Sequence, residues 1–214
     1  MTAIPPPPDV TAMLDANRRW RDSGGTDGAA AYLAYEDHHG IDLAEAVLTE
    51  AILQDADLSG AMLDRADLVR ALANGVRLRD AHLRRANLAR AELEQADLSG
   101  AHAEGASLAR ARLVRANLDG ADLSRGDLFH ATCLGATFRG ANLSGANLGA
   151  ALLAGADFSD AILLGADLTG ARFDAATIMA GARLEAVKVP QLYDGERLLE
   201  GDDALHWLRS RVRR

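Results

Sequence analysis

Short polar side chains recur at one position of a five-residue unit that fills the middle of this 214-residue chain. Between residues 41 and 180, that position holds Asp or Asn in twelve of twenty-eight units. Carboxylates at regular intervals along a rod could imitate the phosphates of a nucleic acid duplex. They could equally do no more than hydrogen-bond to their own turns, as Asp and Asn commonly do. The candidate interaction surface consists of Asp57, Asp67, Asp97, Asp122, Asp127, Asp157 and Asp167.

Arginines form a second group with a regular spacing. Residues 61–120 carry ten arginines against eight acids. Two residues after the unit centres, five of them form columns at a spacing of twenty, and we call these five the arginine belt. The arginine belt consists of Arg65, Arg70, Arg85, Arg90 and Arg110. A uniform imitation of phosphates would avoid such a belt, which could instead meet an acidic partner or pair with Glu92, Glu94 and Asp97 at modest energy.

Candidates for metal binding or catalysis are few. His82 and His102 occupy equivalent positions twenty residues apart, so a surface metal site is conceivable. No cysteine accompanies them and the sequence identifies no second shell, which argues against a metal site. The serines lie in turn positions, and no histidine is tied to a nucleophile by a motif. We therefore expect no metal, no cofactor and no enzymatic activity.

The period of five determines which elements must carry these side chains. The central residue is Leu in twenty-one of the twenty-eight units, and Ala stands two residues earlier in twenty-five. A helix or a flat strand would scatter these leucines over different faces. A chain that turns a corner every five residues keeps Leu and Ala inside a tube, and such repeats predict a solenoid. One inward column is expected to end at Ile178, with the frame slipping by one residue near Gly181.

The units Ala56–Gly60 and Ala141–Gly145, which read ADLSG and ANLSG, resemble the pentapeptide-repeat family. The resemblance implies an all-β solenoid, a right-handed quadrilateral β-helix of about seven coils with four units per coil. It also implies a non-enzymatic protein that binds another protein. Some members of the family bind DNA gyrase or topoisomerase IV as DNA mimics and thereby blunt quinolones. The alternative is a scaffold or regulatory protein with an unrelated partner.

Three segments are expected along the chain. Residues 1–40 form an N-terminal extension and helical cap, residues 41–186 the β-helix, and residues 187–214 a C-terminal segment. In the first segment, the prolines at residues 5–8 predict extended polyproline, which is followed by two helices. Asp9 caps a helix that runs to about Arg21, and a second helix runs from about Gly28 to His39, where Gly40 stops it.

The C-terminal segment is expected to end in a helix capped by Asp202 or Asp203 and running to about Val212. Its apolar residues are Leu205, Trp207, Leu208 and Val212. An open end of a β-helix exposes backbone edges and core, so capping is one role for this helix. A homodimer through the helix is the other, which the resemblance supports because gyrase-protecting members dimerise end to end.

Composition limits the partners and the location. The formal net charge of −8 disfavours direct binding of nucleic acid through a general basic surface. The sequence shows no signal peptide and no membrane span, so we expect no membrane association and a cytoplasmic location. The single cysteine, Cys133, stands at a unit centre and is expected to lie inside the tube.

Overall fold

The computed structural model describes residues 8–212 as a stack of short coils with a helix at each end. Helix α1 spans Pro8–Asp22, and helix α2 spans Gly201–Val212. Three strands precede α2 in the chain, namely β1 (Arg172–Phe173), β2 (Gln191–Asp194) and β3 (Arg197–Glu200). Within the described range, neither helix is long and apolar enough to cross a membrane. Of the prolines at residues 5–8, those at 5–7 lie outside the described residues, and Pro8 begins α1.

Parallel backbone pairing between residues twenty positions apart forms the coils. The residue just before each unit centre makes this pairing, for example Asn87 with Ser107. Asn87 N donates to Ala66 O over 2.9 Å, and Leu88 N donates to Ser107 O over 2.7 Å. One layer therefore takes four pentapeptides, and each layer hydrogen-bonds to the layers before and after it. The prediction of a β-solenoid is confirmed.

Leucine and alanine fill the interior, as the repeat predicts. One inward column, whose members are 0–3 % exposed, consists of Leu48, Leu68, Leu88, Leu108, Leu128, Leu148 and Leu168. In another column the rings of Phe138 and Phe158 stack at a centroid distance of 4.8 Å. Cys133 is also fully buried, and burial raises the pKa of its thiol to about 12. Such a thiol remains protonated and acts as a small apolar side chain.

The corners use a left-handed backbone conformation two residues after each centre. Ala46 N donates to Leu43 O across one such turn, and Glu45 between them has a φ of 58°. Seventeen non-glycine residues have a positive φ in the described chain, besides glycines such as Gly140. An L side chain in this region is strained by about 1–2 kcal/mol, whereas glycine is not. The corners therefore hold strain wherever the residue is not glycine.

Ala150 offers a direct measure of that corner strain. Its φ is 53°, so replacement by glycine is expected to raise the free energy of unfolding by about 0.5 kcal/mol in urea denaturation. Ala154 stands one position earlier in its unit and does not have a positive φ. Ala154→Gly should therefore lower the free energy of unfolding by about 0.5–1 kcal/mol. Equal destabilisation by both substitutions would show that the corners are not strained.

The first coil begins earlier than the sequence analysis placed it, and the helix predicted at residues 28–39 is wrong. Tyr32 pairs in parallel with Ile52, while Ala31 and Leu33 on either side of Tyr32 are buried. This segment is itself a repeat unit, in which alanine and leucine flank the pairing residue. Burial and pairing with the next layer outweigh its local helix propensity, because both groups of contacts exist only in the coil.

Helix α1 covers the open N-terminal end of the stack, and the prediction of a helix from Asp9 to about Arg21 is confirmed. Val10 is 4 % exposed and belongs to the common core. The side chain of Asn17 is buried, and its Nδ2 donates to Thr49 O over 3.1 Å. These contacts attach α1 to the edge of the first layer.

One extra residue shifts the frame between residues 173 and 177. Leu152 still pairs with Arg172, twenty positions later, but Asp157 pairs with Ile178, twenty-one positions later. The prediction that Ile178 points inward is therefore wrong, since it is 47 % exposed and Met179 is buried instead. The slip also precedes Gly181. Asp174 accommodates the extra residue by accepting hydrogen bonds from Gly155 N and Ala176 N.

A small sheet and α2 close the C-terminal end. Strand β2 pairs in parallel with β1 and antiparallel with β3. In α2, Ala204 and Leu208 are fully buried, while Leu205, Trp207 and Val212 are partly buried against the core. The Trp207 indole donates to Asp194 Oδ2 over 2.9 Å, and its ring lies 5.4 Å from that of Phe173. The apolar side of α2 is therefore packed on the end of its own coil.

Candidate functional site

The seven candidate aspartates all stand at the outward position of their units, but on three different sides of the coil. We name the sides by their aspartates. The Asp57 face consists of Asp57, Arg77, Asp97, Asn117, Thr137 and Asp157. The Asp67 face consists of Val47, Asp67, Asn87, Ser107, Asp127, Asn147 and Asp167. Asp122 lies on a third side, after His82 and His102. The fold therefore does not bring all seven carboxylates together on one surface.

Every one of the seven carboxylates accepts a hydrogen bond from a backbone N–H two residues later. Asp127 Oδ1 accepts from Phe129 N over 3.1 Å, and Asp167 Oδ1 accepts from Thr169 N over 2.9 Å. The same bond occurs at Asp57, Asp67, Asp97, Asp122 and Asp157. This local bond stabilises the corner that follows each aspartate. One oxygen of each carboxylate thus stabilises a turn, and contact with a partner depends on what the other oxygen meets.

Arginines neutralise the Asp57 face. Arg77 approaches Asp57 at 3.4 Å, Arg79 approaches Asp97 at 3.0 Å, and Arg139 approaches Asp157 at 2.6 Å. The hydrogen bond from the Ser59 hydroxyl, assisted by Arg77, lowers the pKa of Asp57 against the opposing effect of burial. The sequence suggests Asp97 as a partner of nearby arginines but does not show which arginine meets which acid, although Arg77 directly follows Asp57 in its column. Arg79 and Arg139 lie eighteen residues from their partners and leave no comparable signal.

Asp157 is the most buried of the seven, at 7 % exposure. Burial alone would raise its pKa, but the hydrogen bonds from Ser159 and Arg139 outweigh burial and lower the pKa below its ordinary value. The folded state thus gains stability from ionised Asp157 above about pH 4, and this gain is lost as the pH falls through the lowered pKa.

Asp157→Asn is therefore expected to lower the free energy of unfolding by about 1–2 kcal/mol at neutral pH. The difference from the parent protein should shrink as the pH falls through the lowered pKa, because Asp157 itself then becomes protonated. Urea denaturation at a series of pH values from neutral to acid measures this. Asp127→Asn, which removes a carboxylate that has no cation partner in the described chain, is the control and should change stability little at any of these pH values. A pH-independent effect of Asp157→Asn would contradict the assignment.

The Asp67 face keeps its negative charge. Asp67 accepts a hydrogen bond from the Thr49 hydroxyl, and Asp127 accepts one from Asn147 Nδ2, each over 3.0 Å. Across residues 8–212, no arginine or lysine forms an ion pair with Asp67, Asp127 or Asp167, although Lys188 pairs with Asp167 through the backbone. Ser107 and Asn87 between the acids are uncharged. This side of the coil therefore presents three carboxylates without an ion pair among the described residues, and Asp122 on the third side is a fourth.

The arginine belt is only partly paired. Arg65 lies 3.2 Å from Glu45, and Arg70 lies 3.4 Å from Glu50, both one layer earlier. Arg85, Arg90 and Arg110 have no side-chain partner among the described residues. The structure adds two arginines at equivalent corners, Arg115 and Arg125, of which Arg125 pairs with Glu104. All seven side chains are exposed, so the unpaired guanidinium groups face solvent.

His82 and His102 come together, with ring centroids 5.0 Å apart and planes tilted by 37°. Nδ1 of His82 is buried and has no hydrogen-bond partner. Among the described residues, however, no group of three or more His, Cys, Asp or Glu side chains could hold a metal ion. The two rings alone make an incomplete ligand set, so they give no support for a metal site.

The serines that follow the acids by two residues lie in turns, as the sequence predicts. Ser99 Oγ donates to Asp97 over 2.7 Å, and Ser159 Oγ donates to Asp157. A carboxylate two residues away orients the hydroxyl and at the same time binds the backbone N–H of that serine. This arrangement stabilises the turn and does not supply the base, orienting group and oxyanion donors of a nucleophilic site.

The repeat seen in the structure is that of a known protein family. The model for the family described as pentapeptide repeats, with 8 copies, matches residues 41–80, 67–102, 96–132, 106–145, 141–177 and 151–188. These overlapping stretches together cover residues 41–188, which is more than half of the chain. None of the curated proteins compared with the chain matches it.

Several of the solved structures similar to this chain are pentapeptide repeat proteins. HetL, a protein involved in heterocyst differentiation regulation in the cyanobacterium Nostoc sp. strain PCC 7120, is 28% identical, covering 78% of this chain and 88% of its own, with a TM-score of 0.39. A trypsin-treated variant of QnrB1, a plasmid-mediated fluoroquinolone resistance protein, is 18% identical over 85% of this chain and 95% of its own, with a TM-score of 0.44. Rfr23 of the cyanobacterium Cyanothece 51142 is 24% identical, covering 68% of this chain and 61% of its own, with a TM-score of 0.25.

These TM-scores are all below 0.5, so the assignment rests on the repeat itself and on the family model. Along the coil, each unit of five residues places a leucine and an alanine inside, and residues about twenty positions apart pair with each other. The chain belongs to the pentapeptide repeat family.

Proposed function

We propose that this chain is a non-enzymatic interaction module that binds another protein through the outer faces of its coil. The observation that carries the proposal is the filled interior, in which the leucine column through Leu108 is 0–3 % exposed. A filled tube has no internal cavity for a small substrate, which leaves the outer faces to make contacts. In this proposal the rod is a right-handed, four-sided β-helix of about seven coils, about 34 Å long at the usual strand spacing.

The specific partner that we propose is a type II topoisomerase, DNA gyrase or topoisomerase IV, bound in competition with DNA. The Asp67 face supports this proposal, because its carboxylates are partly exposed and lack cation partners in the described chain. Asp67, Asp127 and Asp167 follow one straight column, with gaps of three and two layers. The Asp57 face contributes less, since Arg77, Arg79 and Arg139 neutralise it. A cytoplasmic location is part of the same proposal, because the partner acts on chromosomal DNA.

A supercoiling assay with and without a quinolone tests the proposal. The parent protein should restore supercoiling by the quinolone-inhibited enzyme, and the triple variant Asp67→Asn, Asp127→Asn, Asp167→Asn should not. Asparagine keeps the turn intact, since Asn147 on the same face already accepts the corresponding bond from Gly149 N. Asp122→Asn, on another side, is the matched control and should behave as the parent. The topoisomerase proposal is abandoned if the parent protein has no effect at micromolar concentration.

A scaffold or regulatory module with an unrelated protein partner is the second candidate. The observation that favours it is the presence of exposed, unpaired arginines beside the Asp67 face, among them Arg85, Arg90 and Arg110. A surface that replaces a DNA duplex would be weakened by these positive charges. Unchanged supercoiling, together with a cross-linked complex between the Asp67 face and a protein that is not a topoisomerase, would support the scaffold and exclude the first candidate.

We further propose that α2 serves as a cap in the monomer. The burial of Ala204 and Leu208 against the last coil supports this role. Homodimerisation through the partly buried Leu205, Trp207 and Val212 is the alternative, in which the same helix would bury its remaining apolar surface on a second copy. Sedimentation velocity at several protein concentrations separates the two, since a cap leaves the mass that of one chain and a dimer doubles it.

A further inference from the structure

Arginine occupies the corners of the middle layers at a cost to stability. Of the thirteen corner positions from residue 65 to residue 125, seven are arginine in the left-handed conformation. Arg90 and Arg110, for example, both have a φ of 60°. From residue 135 onward most corners of the same shape are glycine, including Gly140 and Gly145 at 63° and 66°. The turn does not require arginine, because glycine adopts the same conformation without strain.

Ion pairing within the described residues accounts for only three of these seven arginines, Arg65, Arg70 and Arg125. Arg70, Arg90 and Arg110 stand on successive layers of one corner column, about 4.8 Å apart at the usual strand spacing. Only Arg70 has an acidic partner, Glu50, and Arg90 and Arg110 have none among residues 8–212. Stacked like charges repel one another, which adds to the backbone strain. An observed strain of this kind is a reason to look for a function at the same residues.

An apolar groove adjoins the column. It has a volume of about 490 Å³ and is lined by Ile52 and Leu72 together with Arg70, Arg90, Glu50 and Glu92. Ile52 and Leu72 point outward on neighbouring layers and are only partly buried. The groove thus combines a shallow apolar floor with guanidinium groups on one edge. It can accept an apolar side chain and place the flanking groups of a ligand beside the arginines.

We propose that the arginine belt and this groove bind an acidic segment of another protein, with carboxylates on Arg90 and Arg110 and an apolar side chain on Ile52 and Leu72. Arginine binds carboxylates in a two-pronged geometry that suits discrete acidic side chains. The apolar floor of Ile52 and Leu72 suits a segment that alternates acidic and apolar side chains, whereas a continuous chain of phosphates would meet the net charge of −8 along its whole length. A protein segment is therefore favoured over a nucleic acid. This site has a partner chemistry opposite to that of the Asp67 face and does not depend on a topoisomerase.

The test uses the full chain and a fluorescein-labelled peptide of alternating glutamate and leucine, with binding followed by fluorescence anisotropy. The double variant Arg90→Gly, Arg110→Gly is expected to weaken binding at least about tenfold, because both charge-assisted contacts are lost. The same variant should melt at a higher temperature than the parent, because glycine relieves two strained corners. Loss of binding with a gain of stability cannot arise from unfolding.

Ala150→Gly is the matched control, since Ala150 belongs to the same corner column and also has a positive φ. It should raise the melting temperature and leave peptide binding unchanged. Equal binding of the peptide by the parent and by the double variant would overturn the proposal. If an oligothymidylate of the same charge binds more tightly than the peptide, the partner is a nucleic acid, and the proposal is overturned as well. Equal affinity for polyglutamate and for the glutamate–leucine peptide would show that the apolar groove does not contribute to binding, contrary to the proposal.

Discussion

Replacement of Leu108 by aspartate is expected to abolish cooperative folding of the central coils. Leu108 is 1 % exposed and stands in the column between Leu88 and Leu128. The substitution removes a buried side chain worth about 2 kcal/mol and introduces a carboxylate for which the leucine and alanine interior offers no partner. The total cost, several kcal/mol, is comparable with the whole stability of many domains. Because each layer pairs with its two neighbours, damage in the middle separates the stack into two halves.

Ser107→Asp places the same carboxylate one residue earlier, on the outer face, and is the control. It should fold normally, since Ser107 is partly exposed and aspartate is already common at this position. Leu108→Ala provides a graded intermediate, with an expected loss of about 2–5 kcal/mol. Circular dichroism and urea denaturation give the measurements. Normal folding of the Leu108→Asp variant would mean that the interior is accessible to water. It would contradict the filled interior on which the proposed function rests.

Leu208→Glu is expected to detach α2 and expose the C-terminal end of the coil. Leu208 is fully buried in the core, so the free energy of unfolding should fall by about 3 kcal/mol, with the effect concentrated in the last layers. The uncovered layers would present unpaired backbone groups and the ring of Phe173, which packs against Trp207 in the intact protein. An open end of this kind promotes association between chains.

Thermal denaturation and sedimentation velocity measure both effects, with the exposed neighbour His206→Glu as control. The two roles considered for α2 predict opposite changes in mass. If α2 is a cap, the parent is a monomer and Leu208→Glu forms larger species. If α2 joins two copies, the parent is a dimer and Leu208→Glu reduces its mass. An unchanged melting temperature and mass in Leu208→Glu would contradict both roles.

The sequence predicted those parts of the fold that depend on a strict period. The inward leucines and alanines, the corners two residues after each centre, and both terminal helices agree with the structure. Residues 28–39 contain only one unit with alanine and leucine at the inward positions, and a single unit carries no period, so the sequence does not reveal the coil there. The sequence predicts that Ile178 points inward because Ala176, two residues earlier, is the alanine expected in an uninterrupted frame. The extra residue before it is therefore not visible in the pattern.

The candidate site was predicted less completely than the fold. The sequence identified the outward aspartates, and their bonds to the N–H two residues later follow from local chain geometry. It did not distinguish the neutralised Asp57 face from the charged Asp67 face. That distinction depends on guanidinium groups such as those of Arg79 and Arg139, which reach their acids diagonally from a neighbouring layer.

The sequence by itself thus determined the period, the contents of the interior and the turns, because each of these depends on residues within one or two units. Only the tertiary structure decided which carboxylates and arginines remain free. The reason is that neighbouring side chains on the outer wall come from layers about twenty residues apart, and the reach and direction of a long side chain select its partner. Asp127 and Arg90 keep unpaired charges for this reason, whereas Asp157 does not.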